Sequence, residues 1–173
     1  HRTGVRPRKD RNVKYLRIRW HLGKILALSA FALALGMGGN APWTVIKLHP
    51  AAATTSYASG VDGGQQAGYS TVGGVLRASL WTGTAASWVD LHPAGASESR
   101  AFGVSAGQQA GYAQFGGANH AGVWTGSAAT WVDLHPAGAT ESLVEAAFGG
   151  KQVGYAVFGG VRHFAVTVRE LRD

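Results

Sequence analysis

Residues 103–117, Gly-Val-Ser-Ala-Gly-Gln-Gln-Ala-Gly-Tyr-Ala-Gln-Phe-Gly-Gly, decide the fold, because parts of this stretch recur at a fixed spacing of 43 residues. Self-similarity at one such period indicates a repeat protein. The positions that match in all three copies are Leu-His-Pro at 48–50, 91–93 and 134–136, then Gln66/Gln109/Gln152, Gly68/Gly111/Gly154 and Tyr69/Tyr112/Tyr155, with glycine pairs at 73–74, 116–117 and 159–160. The sequence therefore predicts three units, at residues 48–90, 91–133 and 134–173, within a repeat domain of residues 42–173.

Each unit is predicted to contain four short strands, and the second unit shows them most clearly. Its strand-like runs are residues 100–104, 108–115, 120–125 and 130–134, and glycines at 107, 116–117 and 126 separate them. Glycine adopts positive φ without steric cost, which suits it to tight turns. Short strands with regular turn signals indicate an all-β fold.

The third unit departs from the other two. Thr167 stands where Trp81 and Trp124 stand, and no fourth strand follows it in the sequence. Residues 43–48 read as a lone strand ahead of the first unit. If the units close into a ring, this strand would complete the last unit and hide an open sheet edge.

Three separated motifs resemble the HAF repeat of bacterial extracellular proteins. They are Gly103-Val-Ser-Ala-Gly-Gln-Gln-Ala-Gly-Tyr112, Asn119-His-Ala-Gly-Val-Trp124 and Trp131-Val-Asp-Leu134, and the resemblance covers residues 43–173. It implies a β-propeller-like architecture and no defined activity. The motif's His is Arg77 in the first unit, and its Phe is Ser79 or Gly122, so the match is incomplete.

The number of units leaves the architecture open. Propellers usually have about four to eight blades, whereas this sequence has three units. Two chains could join to complete a ring, the sequence could be a fragment, or the fold could be a β-trefoil, which also uses three four-stranded units. A β-propeller-like repeat is the prediction, with the trefoil as its alternative.

The basic charge of the chain is confined to its start. Nine of the sixteen Lys and Arg residues lie in residues 1–24, and the rest of the chain has seven basic and eight acidic residues. A nucleic-acid-binding domain would place basic residues across its folded surface. The distribution therefore predicts a disordered basic segment at residues 1–24 and no nucleic-acid partner.

An apolar run follows the basic segment. Residues 25–35 are apolar apart from Ser29, and small residues lead to Pro42. A positive region, an apolar region and a small-residue exit are typical of a secretory signal peptide. Residues 25–41 are therefore predicted to be a hydrophobic helix that directs the protein to the cell surface or the medium, with membrane contact only if it is not cleaved.

Two patterns suggest catalytic or metal chemistry, and both have structural explanations. Gly103-Val-Ser105-Ala-Gly107 matches a nucleophile elbow, but it lies between two predicted strands, and Asp62 and Phe148 replace Ser105 in the other units. His49, His92 and His135 could meet on a threefold axis and bind a metal ion. A local hydrogen bond at the end of each strand explains the same recurrence. We expect no catalytic residue and no cofactor, with the three histidines only weak metal candidates.

Recurring aromatic residues are the remaining candidates for a binding site. Asp90 and Asp133 are expected to lie on a solvated strand face or to cap turns, whereas tryptophan and tyrosine are enriched at binding hot spots. The candidates are Trp81, Trp88, Trp124, Trp131, Tyr69, Tyr112 and Tyr155. The function predicted is a non-enzymatic module that binds glycan or protein, with a self-associating structural protein, or a hydrolase or lyase, as alternatives.

Overall fold

The computed structural model describes residues 43–168. The predicted basic segment, hydrophobic helix and signal peptide lie outside the described residues. Within them, no helix is long and apolar enough to cross a membrane.

The all-β prediction is confirmed. Two 3₁₀ turns, Ala85–Ser87 and Ala128–Thr130, are the helical elements of the described chain. The strands are β1 (Ala53–Asp62), β2 (Gln65–Val72), β3 (Val75–Trp81), β4 (Val89–Asp90), β5 (Ser99–Ser105), β6 (Gln108–Phe115), β7 (Ala118–Trp124), β8 (Val132–Asp133), β9 (Glu141–Phe148), β10 (Lys151–Phe158) and β11 (Val161–Val168).

The strands form three antiparallel sheets from consecutive stretches of chain. The sheet orders are β1-β2-β3-β4, β5-β6-β7-β8 and β9-β10-β11. The four strands predicted in the second unit are all present, and the glycines predicted at its turns have positive φ. These turns are tight because glycine reaches that conformation without a Cβ clash.

One recurring glycine is required by close backbone approach. Gly68, Gly111 and Gly154 lie in the second strand of their sheets, beside a register shift in the first strand. A Cβ at any of the three would overlap the carbonyl oxygen of a residue in that neighbouring strand. The shift brings the two backbones together, which explains why glycine recurs here in every unit.

Consecutive sheets pack face to face through the first strand of the later sheet. β5 contacts β1, β2 and β3, and β9 contacts β5, β6 and β7. Apolar residues of different sizes fill the space between them. One cluster joins Ala67, Ala78 and Leu80 to Leu91, Ala101, Val104 and Trp124, and the other joins Ala110, Ala121 and Val123 to Val144.

The prediction of a strand at residues 43–48, which could have completed the third sheet, is wrong. Residues 43–48 form no strand, and the third sheet has three strands in the described chain, so the sheets are not closed. In the first two units, Asp90 and Asp133 anchor the fourth strand by bonding Arg77 and His120 on the third strand. Lys47 occupies the equivalent position ahead of the first unit and cannot accept these hydrogen bonds.

Candidate functional site

The three recurring histidines make local hydrogen bonds. The Nδ1 atoms of His49, His92 and His135 lie 2.9, 2.9 and 2.7 Å from the Oγ atoms of Ser56, Ser99 and Ser142. In the second and third units, the imidazole Nε2 also lies 3.0 Å from a carbonyl oxygen, of Ala96 or Ala139. Each histidine therefore fixes the loop that leads into the first strand of its unit.

The serine in this arrangement links neighbouring sheets. The backbone N–H of Ala78 donates to Ser99 Oγ at 2.9 Å, and that of Ala121 donates to Ser142 Oγ at 2.9 Å. Because a carbonyl oxygen only accepts, Nε2 of His92 carries the proton, and Nδ1 accepts from the serine hydroxyl. Burial lowers the pKa of His92 below 6.5, which favours this neutral form.

These contacts leave the histidines without a shared metal site. Within residues 43–168, no three His, Cys, Asp or Glu residues group closely enough to hold a metal ion. Each imidazole instead serves its own unit.

The two recurring aspartates hold the chain after the fourth strand. Asp90 Oδ1 accepts from the backbone N–H of His92 at 2.8 Å, and its Oδ2 accepts from Arg77 Nη1 at 2.9 Å. Asp133 makes the same turn contact with His135 at 2.7 Å, and its Oδ2 lies 2.8 Å from His120 Nδ1. Both carboxylates therefore have structural partners.

Ser105 does not lie in a nucleophile elbow. It is the last residue of β5, in a strand-to-strand turn, and it is buried. Its Oγ accepts a hydrogen bond from the backbone N–H of Gly149 in the third unit at 3.2 Å. An elbow requires a strand-to-helix turn that exposes the serine. The serine hydroxyl joins two units instead.

The four tryptophan candidates are mainly core residues. Trp81 and Trp124 are fully buried and are therefore inaccessible to a ligand in this fold. Trp88 is half-buried and donates from Nε1 to Ser79 Oγ at 2.9 Å. Trp131 packs on Trp124, with ring centroids 4.6 Å apart, and over the backbone of Gly122.

Two of the three tyrosine candidates are also buried. Tyr112 and Tyr155 donate from their hydroxyls to Glu98 and Glu141, at 2.5 and 2.7 Å. Burial, together with the hydrogen bond to the neighbouring carboxylate, raises the pKa of both phenols. Both therefore stay neutral donors at physiological pH.

The predicted candidate Tyr69 lies in a partly exposed group with Tyr57 and Arg100, neither of which was a predicted site residue. Its ring stacks on Tyr57, with centroids 5.4 Å apart and planes at 23°. The guanidinium of Arg100, in the next unit, lies 5.1 Å from the Tyr69 ring centroid. Tyr57 is 58% exposed. It was missed because it does not recur in the other units.

A second exposed surface lies on the third unit. We define the terminal face as Ala146, Phe148, Lys151, Val153 and Phe164, the positions equivalent to those with which the first two units meet their successors. Phe148 is 86% and Phe164 77% exposed. Ala146, Phe148, Lys151 and Val153 also line a depression of about 390 Å³, together with Ala147. The terminal face is therefore apolar and open.

The terminal face could have been found by comparing the units at an offset of 43 residues. Asp62 and Ser105 correspond to Phe148, and Ala78 and Ala121 correspond to Phe164. A polar or small position that becomes phenylalanine on an exposed strand is an unusual change for a repeat.

No family model matches this sequence, and no curated protein or solved structure shows a significant match to it. The resemblance to HAF repeats therefore stays a prediction.

Proposed function

We propose that this protein is a non-enzymatic, secreted or cell-surface repeat module that binds a partner protein through its terminal face. The architecture proposed is β-propeller-like. Successive sheets built from contiguous chain and packed face to face support this choice over a trefoil. The location rests on the basic and apolar pattern of residues 1–41.

The observation that carries this proposal is the exposure of two phenylalanines on the terminal face. Phe148 pairs with Lys151 and Phe164 pairs with Tyr155, so each lies two positions along β10 from the partly exposed Val153, on opposite sides of it. Lys151 provides a charge at the border. Contiguous apolar surface with a polar border is typical of protein–protein interfaces, whose centres favour aromatic residues. A protein partner therefore fits this surface better than a glycan, which requires more hydrogen-bonding groups.

The non-enzymatic part of the proposal is supported by the partners of the candidate groups. Ser105, His92 and Asp90 each make hydrogen bonds that maintain a turn or a contact between units. None of these three is paired with another as nucleophile and base, as covalent catalysis requires. A hydrolase or lyase has no supporting arrangement in the described residues.

A glycan is the second candidate ligand, and the Tyr57–Tyr69–Arg100 group favours it. Exposed aromatic rings pack against sugar faces, and arginine donates to sugar hydroxyls. This group lies between the first and second units, whereas the terminal face belongs to the third. Substitutions can therefore separate the two candidates.

The test compares the wild-type protein with two variants on protein and glycan arrays. Phe148→Ser removes the more exposed phenylalanine of the terminal face, and Tyr57→Ala removes the exposed ring of the tyrosine group. We expect protein binding that Phe148→Ser abolishes and Tyr57→Ala leaves intact. Glycan binding lost only in Tyr57→Ala would overturn the assignment to the terminal face.

A further inference from the structure

We propose that the third unit terminates the repeat array, because its terminal face excludes a further unit. The face of the first unit that contains Ser56, Val61 and Gln66, which we call the free face, is instead built to receive one. The partner that fits this free face is a four-stranded repeat unit carrying the same contact residues as the first two units. This inference goes beyond the proposed function and does not depend on it.

The same polar contacts recur at both junctions between units. The first unit contributes acceptors to the second: Asp62 Oδ2 accepts from the backbone N–H of Ala106 at 2.7 Å, and Gln65 Oε1 accepts from Gln109 Nε2 at 3.1 Å. The second unit repeats this pattern towards the third. There Ser105 Oγ accepts from Gly149, and Gln108 Oε1 accepts from Gln152 Nε2. Acceptors at these two positions therefore define how one unit meets the next.

Small residues at the same junctions allow the backbones to approach. A Cβ on Gly60 would lie 3.1 Å from the Cα of Gly103, and one on Gly103 would lie 2.8 Å from the backbone nitrogen of Ala147. Ala78 and Ala121 provide further flat surface, and both are buried under the following unit. Larger side chains at these positions would hold a following unit away.

The third unit changes all of these positions. Phe148 and Lys151 replace the two acceptors, so neither can accept a hydrogen bond from a following unit. Lys151 would also bring a second donor against an incoming glutamine amide. Ala146 and Phe164 replace a glycine and an alanine and fill the space that the incoming backbone occupies at the other junctions. Loss of the acceptors and loss of the space both exclude a repeat unit.

The first unit keeps the contact residues of the receiving side. Ser56 corresponds to Ser99 and Ser142, and Gln66 corresponds to Gln109 and Gln152. The side-chain amide of Gln66 donates to the carbonyl oxygen of Gly64 at 3.0 Å, and that of Gln109 donates to the carbonyl oxygen of Gly107 at 3.0 Å. The two side chains therefore have the same orientation. Val61 is 74% exposed, whereas the equivalent Val104 is 5% exposed beneath the first unit. The free face therefore keeps its contact residues, and no other residue of the part of the chain that the structure describes covers Val61.

Its partner follows from the two internal junctions. A fitting unit has Asp or Ser at the position of Ser105, Gln at that of Gln108, Gly at that of Gly103 and Ala at that of Ala121. The third unit of a second copy meets none of these conditions. Copies of this chain are therefore not expected to join head to tail, and a ring completed in that way is excluded.

The test uses full-length chains, so that residues 1–42 are common to every sample. One variant restores the terminal face to the residues of the second unit, by Ala146→Gly, Phe148→Ser, Lys151→Gln, Val153→Ala and Phe164→Ala. The same variant carries Val61→Lys, which places a charge on its own free face. In size-exclusion chromatography with light scattering, we expect the restored variant alone to have the mass of a single chain. Mixed with wild-type protein, it should form a one-to-one complex.

In the matched control, the single variant Val61→Lys replaces the wild-type partner of the restored variant. Because Val61 is exposed, this change should not affect folding, and it should abolish the complex. A complex that survives Val61→Lys would overturn the proposal. The proposal would also be overturned if wild-type chains self-associate and Val61→Lys removes that self-association. Absence of a complex between the restored variant and wild type, with both folded by circular dichroism, would overturn it too. If the restored variant unfolds, a variant that keeps Val153 replaces it and is read by the same criteria; it carries Val61→Lys with Ala146→Gly, Phe148→Ser, Lys151→Gln and Phe164→Ala, all at exposed positions.

Discussion

The serine hydroxyls that join neighbouring sheets should contribute strongly to stability, and the chain contains its own control. Ser99 and Ser142 are buried, and each accepts the backbone N–H of an alanine in the preceding sheet. Ser56 occupies the same position in the first unit and bonds His49, but no backbone donor from a preceding sheet reaches it in the described structure. Alanine substitution at these three positions therefore separates the junction contact from the histidine contact.

The expected magnitudes follow from which groups lose their partners. Ser99→Ala leaves the N–H of Ala78 buried without an acceptor, which costs about 1–3 kcal/mol, and it also removes the bond to His92. We expect a total loss of about 2–3 kcal/mol. Ser56→Ala removes one half-buried hydrogen bond, which is worth about 0.5–1.5 kcal/mol. The test therefore compares the loss of unfolding free energy in Ser99→Ala with the loss in Ser56→Ala.

Urea unfolding followed by tryptophan fluorescence measures these differences, since Trp81 and Trp124 lie in the core. Ser99→Ala and Ser142→Ala should each lower the midpoint by about twice as much as Ser56→Ala, with an unchanged slope. The two junction variants should also be nearly additive, because they lie at different junctions. Equal losses in all three variants would refute the role assigned to the backbone donors of Ala78 and Ala121.

Three further predictions test single positions. Gly122→Ala places a methyl group into the ring of Trp131 and should cost about 1–3 kcal/mol in urea unfolding; a neutral result would mean that the ring is seated elsewhere. Ala106→Gly relieves a φ of 49° in a turn where the other units have glycine, and should raise stability by about 1 kcal/mol; a loss would contradict the strain. Burial lowers the pKa of His92, so its contribution is fully present above pH 6.5 and is lost as the pH falls towards the folded-state value. Thermal melts should therefore show a drop between pH 7.5 and 5.5 that His92→Gln reduces, and an equal drop in both proteins would contradict this reading.

Periodicity was sufficient to predict the strands and turns of the repeat. Gly107, Gly116 and Gly126 have the positive φ values that their spacing indicated, and β6 has the predicted bounds. These features depend on local backbone geometry, which recurs with the sequence. Residues 43–48 resemble the fourth strand of the other units in sequence, but this similarity does not provide a partner strand. Lys47 also lacks the carboxylate that anchors β4 and β8.

The site was harder to predict, because recurrence marks packing as readily as binding. Trp81, Trp124 and Tyr112 recur because the core of each unit needs them, and their burial removes them from a ligand. Tyr57 and Phe148 are exposed and do not recur, so a search for repeated residues passes over them. In a repeat protein, departures from the pattern at junction positions therefore indicate function better than the pattern itself.

The most direct test of the binding role is the affinity of array-identified ligands for wild-type protein, Phe148→Ser and Tyr57→Ala, measured by surface plasmon resonance. Removing an aromatic residue from the centre of an interface costs about 2 kcal/mol or more, which corresponds to a loss of affinity of roughly thirtyfold. We expect this loss for a protein ligand with Phe148→Ser and no change with Tyr57→Ala. Unchanged affinity with Phe148→Ser would contradict the terminal face as the binding surface.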